Sequence, residues 1–284
     1  MRLLRIREAV QRLHEPERRI IEEFFWFWPL VALYLCVIAP GRNWWFPSKP
    51  LSTLGHQIDG LFYLILIIVS VTFVGTEFAL GYAMWKGATR NPGSRAWFSH
   101  GSHKLEIVWT IVPAFVLVFI SLTQLDVLAD IRVLSRFPDS VKEAPVAEVM
   151  ARQFEWRIRY PKPGTDLMTS PQPGDLYYVN EVHVPAAVPT MINLRTQDVQ
   201  HAFFVPRLRV KQDAVPGLVI PVWFEIEEAG DYELLCAELC GWGHYKMKAR
   251  IVAESPEGVS AYLTRLEREQ NEDGVQEAET ASVE

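Results

Sequence analysis

Residues 236–247 read Cys-Ala-Glu-Leu-Cys-Gly-Trp-Gly-His-Tyr-Lys-Met. This stretch holds two thiols, an imidazole and a thioether, and it follows a segment rich in β-forming side chains. Soft sulfur donors combined with imidazole select copper, and methionine is the weak axial ligand of electron-transfer copper sites. The stretch therefore predicts a copper-binding loop on a β-rich scaffold.

The second cysteine of this loop changes the expected number of metal ions. A single cysteine with one histidine and one methionine would be typical of a mononuclear blue-copper site. Cys236 and Cys240 together can bridge two copper ions, and each ion then needs one histidine and one weaker ligand. The loop has only one histidine, so a second must come from elsewhere. His183 and His201 are the candidates outside the apolar regions, and His201 begins the segment His-Ala-Phe-Phe-Val-Pro.

Three plainer interpretations of these side chains stay open from the residues alone. Cys236 and Cys240 could form a disulfide, or they could belong to a tetrahedral zinc site. His201 on its own is more often a buried histidine with satisfied hydrogen bonds than a ligand. Because the loop needs a second histidine from elsewhere, His201 is here preferred as a metal ligand.

The region 145–254 has the pattern of an all-β domain. Pro and Gly clusters separate stretches rich in Val, Ile, Tyr, Trp and Phe, which favours a sandwich or barrel. The predicted strands are 147–160, 177–184, 190–195, 219–226 and 246–253. In the acidic tail 255–284 we expect one short helix at 256–269 and a disordered end.

The N-terminal part of the chain contains the long apolar runs. Leu61–Trp85 and Ile107–Leu125 are long enough to cross a bilayer, so the anchor 41–130 is predicted to have spans near 61–85 and 107–128. Residues 24–40 carry no charge and are predicted as an extra membrane helix. A cleaved signal peptide is the alternative, disfavoured by five glutamates in residues 1–23 and by Pro40 after Ala39.

Charge sets the expected orientation and excludes one class of partner. Residues 86–104 carry four basic side chains and no acid, and arginines recur through 1–23. The positive-inside rule places both segments in the cytoplasm and 145–254 outside, in the periplasm of a bacterial inner membrane. The net charge of −6, all of it attributable to the acidic tail, argues against a nucleic acid partner.

From about Gly55 to Ala253 the chain resembles subunit II of cytochrome c oxidase. The loop fits the signature Cys-x-Glu-x-Cys-x-x-x-His-x-x-Met at every defined position. Asp198-Val-Gln-His201 and Val210-Lys-Gln-Asp-Ala-Val-Pro-Gly217 match the segment that carries the first histidine. Trp109-Thr-Ile-Val-Pro-Ala114 matches the second of the family's two usual membrane helices.

The resemblance implies a fold, a cofactor and a ligand set. The fold would be a cupredoxin-like Greek-key barrel behind a membrane α-helical anchor of two or three spans. The cofactor would be binuclear copper, CuA, and Glu238 would offer its backbone carbonyl to it and its carboxylate to a Mg²⁺ shared with the catalytic subunit. The implied side-chain ligands are His201, Cys236, Cys240, His244 and Met247.

Other positions take roles from the same resemblance. Glu106 would stand at the entrance of a proton-uptake channel, or else be an interfacial acid paired with Lys104 or Arg95. Phe154 and Trp156 occupy the motif through which electrons enter, although many relatives have tryptophan where Phe154 stands. Asp198 would help to dock the electron donor. Glu77 lies within the second apolar run without a motif and is expected to pair with a neighbouring helix.

The implied function is to accept electrons from cytochrome c and pass them to the haems of a catalytic subunit. That subunit would reduce oxygen to water and pump protons, and this chain is not catalytic alone. Expected partners are the haem-containing subunit I, subunit III, membrane lipid, and cytochrome c or a cytochrome c-bearing complex. The alternatives are a copper subunit of a nitric oxide or nitrous oxide reductase, a quinol-oxidase relative, and a copper-carrying assembly factor.

Overall fold

The computed structural model describes residues 15–42, 44, 49–88, 98, 100–142 and 144–273. The start of the predicted 1–23 segment, the centre of the basic loop and the end of the acidic tail lie outside these residues. The chain divides into two compact units. One comprises Met1–Ser48 and Phe62–Val118, and the other Lys49–Leu61 and Phe119–Glu284.

Three long helices form the N-terminal part: α1 (Glu15–Gly41), α2 (Thr53–Ala88) and α3 (His103–Arg132). Thr53–Gly87 and His103–Arg132 are long and apolar enough to cross a membrane, with mean hydropathies of 2.2 and 2.3. No side chain of α3 is buried in this structure. A helix that is apolar all round needs lipid or another protein to cover it. The helical membrane anchor is thereby confirmed, and both helices extend beyond the predicted spans.

The apolar part of α1 is shorter than those of α2 and α3. It covers Trp26–Gly41 and contains Pro29 and Pro40. The prediction of a third span at 24–40 stays a prediction, as does its alternative, a cleaved signal.

The β domain consists of two five-stranded sheets. One sheet has the order β3-β2-β1-β5-β8, and the other has the order β4-β10-β9-β6-β7. The strands are β1 (Ala147–Arg152), β2 (Glu155–Tyr160), β3 (Leu176–Val179), β4 (Glu181–Pro185), β5 (Thr190–Thr196), β6 (His201–Val205), β7 (Val210–Ala214), β8 (Ile220–Phe224), β9 (Gly230–Cys236) and β10 (Lys248–Glu254). Parallel pairing of β1 with β5 and of β10 with β4 combines with antiparallel neighbours elsewhere. The all-β, cupredoxin-like prediction is confirmed.

The core lies between the two sheets, where alternating side chains of each strand meet. Trp156, Ile158, Phe203 and Phe224 are among the largest completely buried side chains. Such alternation is what a period-two strand produces when one face is buried. In the second sheet, β6 begins at His201 and β9 ends at Cys236, two of the predicted metal ligands.

A C-terminal helix, α4 (Pro256–Asp273), covers the edge strands β3 and β4. Its own side chains Tyr262 and Leu266 are buried, and the side-chain amide of Gln270 accepts from the Tyr177 N–H and donates to the Tyr177 carbonyl. Gln270 thus satisfies the hydrogen-bonding capacity of backbone groups that an open sheet edge would leave exposed. The helix is four residues longer than the predicted 256–269.

The β domain is tied to the nearby ends of the membrane helices inside one compact unit. Ser52 accepts from the Gly55 N–H at the start of α2 and donates to the Leu208 carbonyl at 2.8 Å. Arg209 forms a two-pronged ion pair with Asp59 at 2.9 and 3.1 Å. These contacts join residues 49–61 to the β domain within that unit.

Candidate metal centre

Two neighbouring strands bring the first histidine beside the first cysteine. β6 begins at His201, β9 ends at Cys236, and the two strands pair antiparallel with Phe203 opposite Cys236. His201 Nδ1 lies 3.7 Å from Cys236 Sγ. Of the two candidate histidines, His201 is therefore the one that lies beside the loop's first cysteine.

The segment after β9 folds back so that its remaining donors converge on the same point. Cys236 Sγ and Cys240 Sγ are 3.9 Å apart. Cys240 Sγ lies 3.6 Å from His244 Nδ1 and 3.8 Å from Met247 Sδ. On the other side, Cys236 Sγ lies 3.2 Å from the Glu238 carbonyl oxygen. All six predicted donors are brought together.

This donor set fits a pair of soft metal ions. The ligand atoms of His201, Cys236 and Cys240 lie within 4.8 Å of one another, and all three residues are buried. Two thiols stand in the centre, with an imidazole and a weaker donor on each side. A tetrahedral zinc site uses four ligands, fewer than converge here, whereas thiolate, imidazole and thioether together select copper. The two sulfurs at 3.9 Å are not bonded, since a disulfide requires about 2.05 Å.

The two thiols differ in acidity. Burial raises the pKa of Cys236, but hydrogen bonds from His201 and from the backbone outweigh burial and lower it to about 6. Burial and the negative charge of Cys236 raise the pKa of Cys240 to about 11. Cys236 therefore ionises more readily than Cys240, so a metal that needs both as thiolates must displace a proton from Cys240.

Asp198 holds His201 from the side away from the sulfurs. His201 Nε2 and Asp198 Oδ1 are 2.9 Å apart, and the Gln153 N–H donates to Asp198 Oδ2 at 2.7 Å. Despite burial, these hydrogen bonds lower the pKa of Asp198, while Cys236 and Asp198 raise that of His201. A carboxylate behind a metal-binding imidazole fixes its orientation and leaves the other nitrogen for the metal.

The aromatic side chains predicted for electron transfer occupy two different depths. Trp156 is fully buried, with its ring centroid 6.3 Å from that of His201. Phe154 is half-buried and packs on the loop, because a Cβ at Gly243 would lie 2.6 Å from the Phe154 ring. Glycine at 243 is thus required by this close approach. Of the two aromatic rings, only that of Phe154 reaches the surface.

Residues outside the loop support it in ways the motif did not predict. The Gln153 side-chain amide donates to the Cys240 carbonyl, across 87 positions of sequence. The available sequence signals were the position of Gln153 beside Phe154 and the two glycines, Gly241 and Gly243, that flank Trp242.

Two other predicted positions lie away from the metal centre. His183 is enclosed on β4, 2.6 Å from Glu254 and 2.9 Å from Glu181, so it is a structural histidine. Glu106 lies in the first turn of α3, 3.5 Å from His103. Within the described part of the chain its ion-pair partner is therefore His103 and not the predicted Lys104; Arg95 lies outside that part.

Two family models match the chain: cytochrome c oxidase subunit II, periplasmic domain, over 157–255, and its transmembrane domain over 48–127. The alternative cytochrome c oxidase subunit 2 of Bradyrhizobium diazoefficiens is 28% identical, covering 82% of this chain and 90% of that protein. The cytochrome c oxidase subunit 2 of Cereibacter sphaeroides is 31% identical, covering 79% and 80%. These matches do not favour a nitric oxide or nitrous oxide reductase.

Among solved structures, one similar to this chain is the periplasmic domain of subunit II of cytochrome oxidase of Bradyrhizobium japonicum. It is 23% identical and has a TM-score of 0.38. The match covers 43% of this chain and 93% of that one.

Proposed function

The chain belongs to the cytochrome c oxidase subunit II family, and we propose that its converging sulfur and imidazole donors hold the binuclear copper centre CuA. The observation that carries this proposal is the convergence of six donors around two buried sulfurs 3.9 Å apart. The ligands are the side chains of His201, Cys236, Cys240, His244 and Met247 and the backbone carbonyl of Glu238.

A pair of copper ions held by these residues would supply storage and release of one electron. What this chain contributes is rigidity. His201 and Cys236 lie on hydrogen-bonded strands, and Asp198 and Gln153 hold His201 and the loop from behind. Ligands fixed in this way move little when the charge changes, which keeps the reorganisation small and the transfer fast.

The chain, as part of an oxidase complex, would take electrons from cytochrome c and pass them to the haems of subunit I, with subunit III as a further partner. There, oxygen reduction to water would be coupled to proton pumping.

The carboxylate of Glu238 is partly exposed and forms no ion pair with any other described residue. It is therefore available for a Mg²⁺ shared with subunit I, which metal analysis of Glu238→Ala would test: an unchanged magnesium content contradicts this role.

The membrane orientation follows from the charges. The basic loop between α2 and α3 is assigned to the cytoplasm, and the β domain to the periplasm of a bacterial inner membrane. Intact mass of the mature protein decides between three spans and a cleaved signal, since cleavage would remove about 40 residues.

Glu106 is assigned to proton uptake. Unchanged oxygen consumption by Glu106→Gln would contradict that assignment.

Electron paramagnetic resonance of the copper-loaded oxidase tests the central proposal. We expect hyperfine structure from one electron shared equally by two copper nuclei, and two copper ions per chain in addition to those of the catalytic subunit. A hyperfine pattern from a single copper nucleus at this site would contradict it. Cys240→Ser serves as the control, because it removes one bridge and should abolish the shared signal.

A further inference from the structure

The surface around the metal-binding loop carries an aromatic ring at a position not assigned to electron transfer. Trp242 lies between the ligands Cys240 and His244, and 77% of its surface is exposed. Tryptophan is enriched among the residues that carry most of the binding energy at protein–protein contacts. Leu239 and Tyr245 on the same loop are 77% and 76% exposed.

Trp242 is in ring contact with the aromatic side chain beneath it. Its ring centroid lies 5.1 Å from that of Phe154, at an interplanar angle of 68°. This edge-to-face geometry is one of the favoured arrangements of aromatic pairs. Phe154 in turn packs against Gly243, and its neighbour Gln153 bonds to the Cys240 carbonyl. A continuous line of contacts therefore leads from Trp242 through Phe154 to the ligand loop.

A positive charge lies at the same place. Lys246 Nζ is 4.7 Å from the centre of the Trp242 ring, within the range of a cation–π contact. A donor that surrounds its haem edge with lysines would bring like charges together here, which costs affinity. An apolar or acidic rim around the haem edge would fit both the indole and the ammonium group.

We propose that Trp242 is the surface contact of the electron donor. The donor is a c-type cytochrome with an apolar or acidic rim around its haem edge. One electron leaves the ferrous haem, which becomes ferric, and reduces the centre behind Phe154; no proton moves and no bond breaks. This inference rests on the proposed function.

The test compares Trp242→Ala, Trp242→Phe and Tyr245→Ala in the full-length chain. Tyr245 is the matched control, an equally exposed aromatic residue on the same loop for which no ring contact with Phe154 exists in the described structure. The probe is mitochondrial cytochrome c whose haem-edge lysines have been changed to glutamine. Two measurements are made: its Kd for the copper-free chain in detergent, and its rate of reducing the assembled oxidase's copper centre in stopped flow.

We expect Trp242→Ala to raise Kd about tenfold, the effect of losing a central aromatic contact, and to lower the reduction rate at least as much. Trp242→Phe should retain most of the affinity, and Tyr245→Ala should change Kd less than about threefold. The copper spectrum should be unchanged in all three. If the wild-type chain binds the unmodified lysine-rich cytochrome more tightly than the glutamine form, the proposed donor class is wrong. If Trp242→Ala and Tyr245→Ala have equal effects on Kd, the proposed role of Trp242 is wrong. If the wild-type oxidase lacks the shared copper signal, the proposed function fails instead, while the copper-free Kd values still report on the contact.

Discussion

At the scale of single residues, the positions of the donors predict an order of severity for ligand substitutions. Cys236 and Cys240 each contact the other sulfur and an imidazole, whereas among the described donors the Met247 sulfur reaches Cys240 alone, at 3.8 Å. Cys240→Ser should abolish the shared copper signal or leave a single copper ion. Met247→Leu removes a weak ligand, so copper should remain and its midpoint potential should rise. Copper-to-protein ratios and redox titration measure both effects, and equal copper loss in the two variants would contradict the order.

Asp198 offers a second test at this scale, because two roles compete for it. Family resemblance implies donor docking, while the structure aims its carboxylate at His201 Nε2 and the Gln153 N–H. For Asp198→Asn we expect copper to be retained and the midpoint potential to rise, because the lost negative charge no longer favours the oxidised metal. Asp213→Asn, at an exposed carboxylate hydrogen-bonded to Gln200, is the control. A weaker donor Kd with an unchanged potential would favour docking.

The ligand side chains could be predicted from their spacing, but their supports could not. The signature in 236–247 named its own donors, and the ligand count made His201 a candidate. The family resemblance selects His201 over His183, and the pairing of β6 with β9 places His201 beside Cys236. Gln153 bonds to residues 45 and 87 positions away, and contacts at such separation depend on the tertiary fold and not on a local pattern.

At the scale of elements, α4 and the strands beneath it contain two buried tyrosines, of which one hydroxyl is hydrogen-bonded and the other is not. The Tyr160 hydroxyl accepts from the His183 N–H at 2.6 Å and donates to its carbonyl. The Tyr262 hydroxyl has no hydrogen-bond partner among the described residues. Tyr160→Phe should therefore lower the free energy of unfolding by about 1–3 kcal/mol, and Tyr262→Phe should raise it by about 1 kcal/mol. Chemical denaturation of the copper-free chain in detergent, followed by near-ultraviolet circular dichroism, measures both, and changes of the same sign would contradict this prediction.

The same pair predicts a loss of stability at alkaline pH. Burial raises the pKa of both tyrosines above the ordinary value. In the unfolded chain the phenols ionise at about pH 10, whereas at that pH the folded chain keeps them neutral. Their contribution to stability is complete below about pH 10 and is lost as the pH rises further. The loss should be smaller in Tyr262→Phe than in wild type.

Local pattern predicted the class of each element better than its limits. The stretch 147–160 reads as one strand but is the hairpin of β1 and β2, because the chain reverses at Gln153 and Phe154. The stretch 177–184 divides at Asn180, whose φ of 60° ends β3 and starts β4 in the other sheet. β6, β7 and β9 were not predicted. Their polar or ligand residues interrupt the apolar alternation by which a strand is recognised.

At the scale of the whole molecule, the β domain has a weak overall charge that bears on how its donor arrives. Residues 145–254 contain fourteen acids and eleven bases, a net charge of −3. Many of the bases are already engaged: Arg157 and Arg152 contact Glu155, and Arg159 contacts Glu148 and Asp175. Such a domain lacks the strong field by which an acidic surface accelerates association with a basic cytochrome.

We therefore predict that electron transfer from the natural donor depends little on salt. Interfaces for electron transfer are small, below about 1,200 Å², so a partner without electrostatic steering needs another means of arriving quickly. Tethering to the membrane or to a neighbouring complex provides it, because a high local concentration replaces diffusion from solution. Rates of copper reduction should change less than about twofold between about 20 and 200 mM salt, a range over which the screening length falls from about 20 Å to below 10 Å. Stopped-flow reduction in native membranes, compared with reduction of the purified oxidase by added mitochondrial cytochrome c, measures this. A fast reaction with the added cytochrome that slows steeply with salt would mean that a freely diffusing basic donor serves the oxidase.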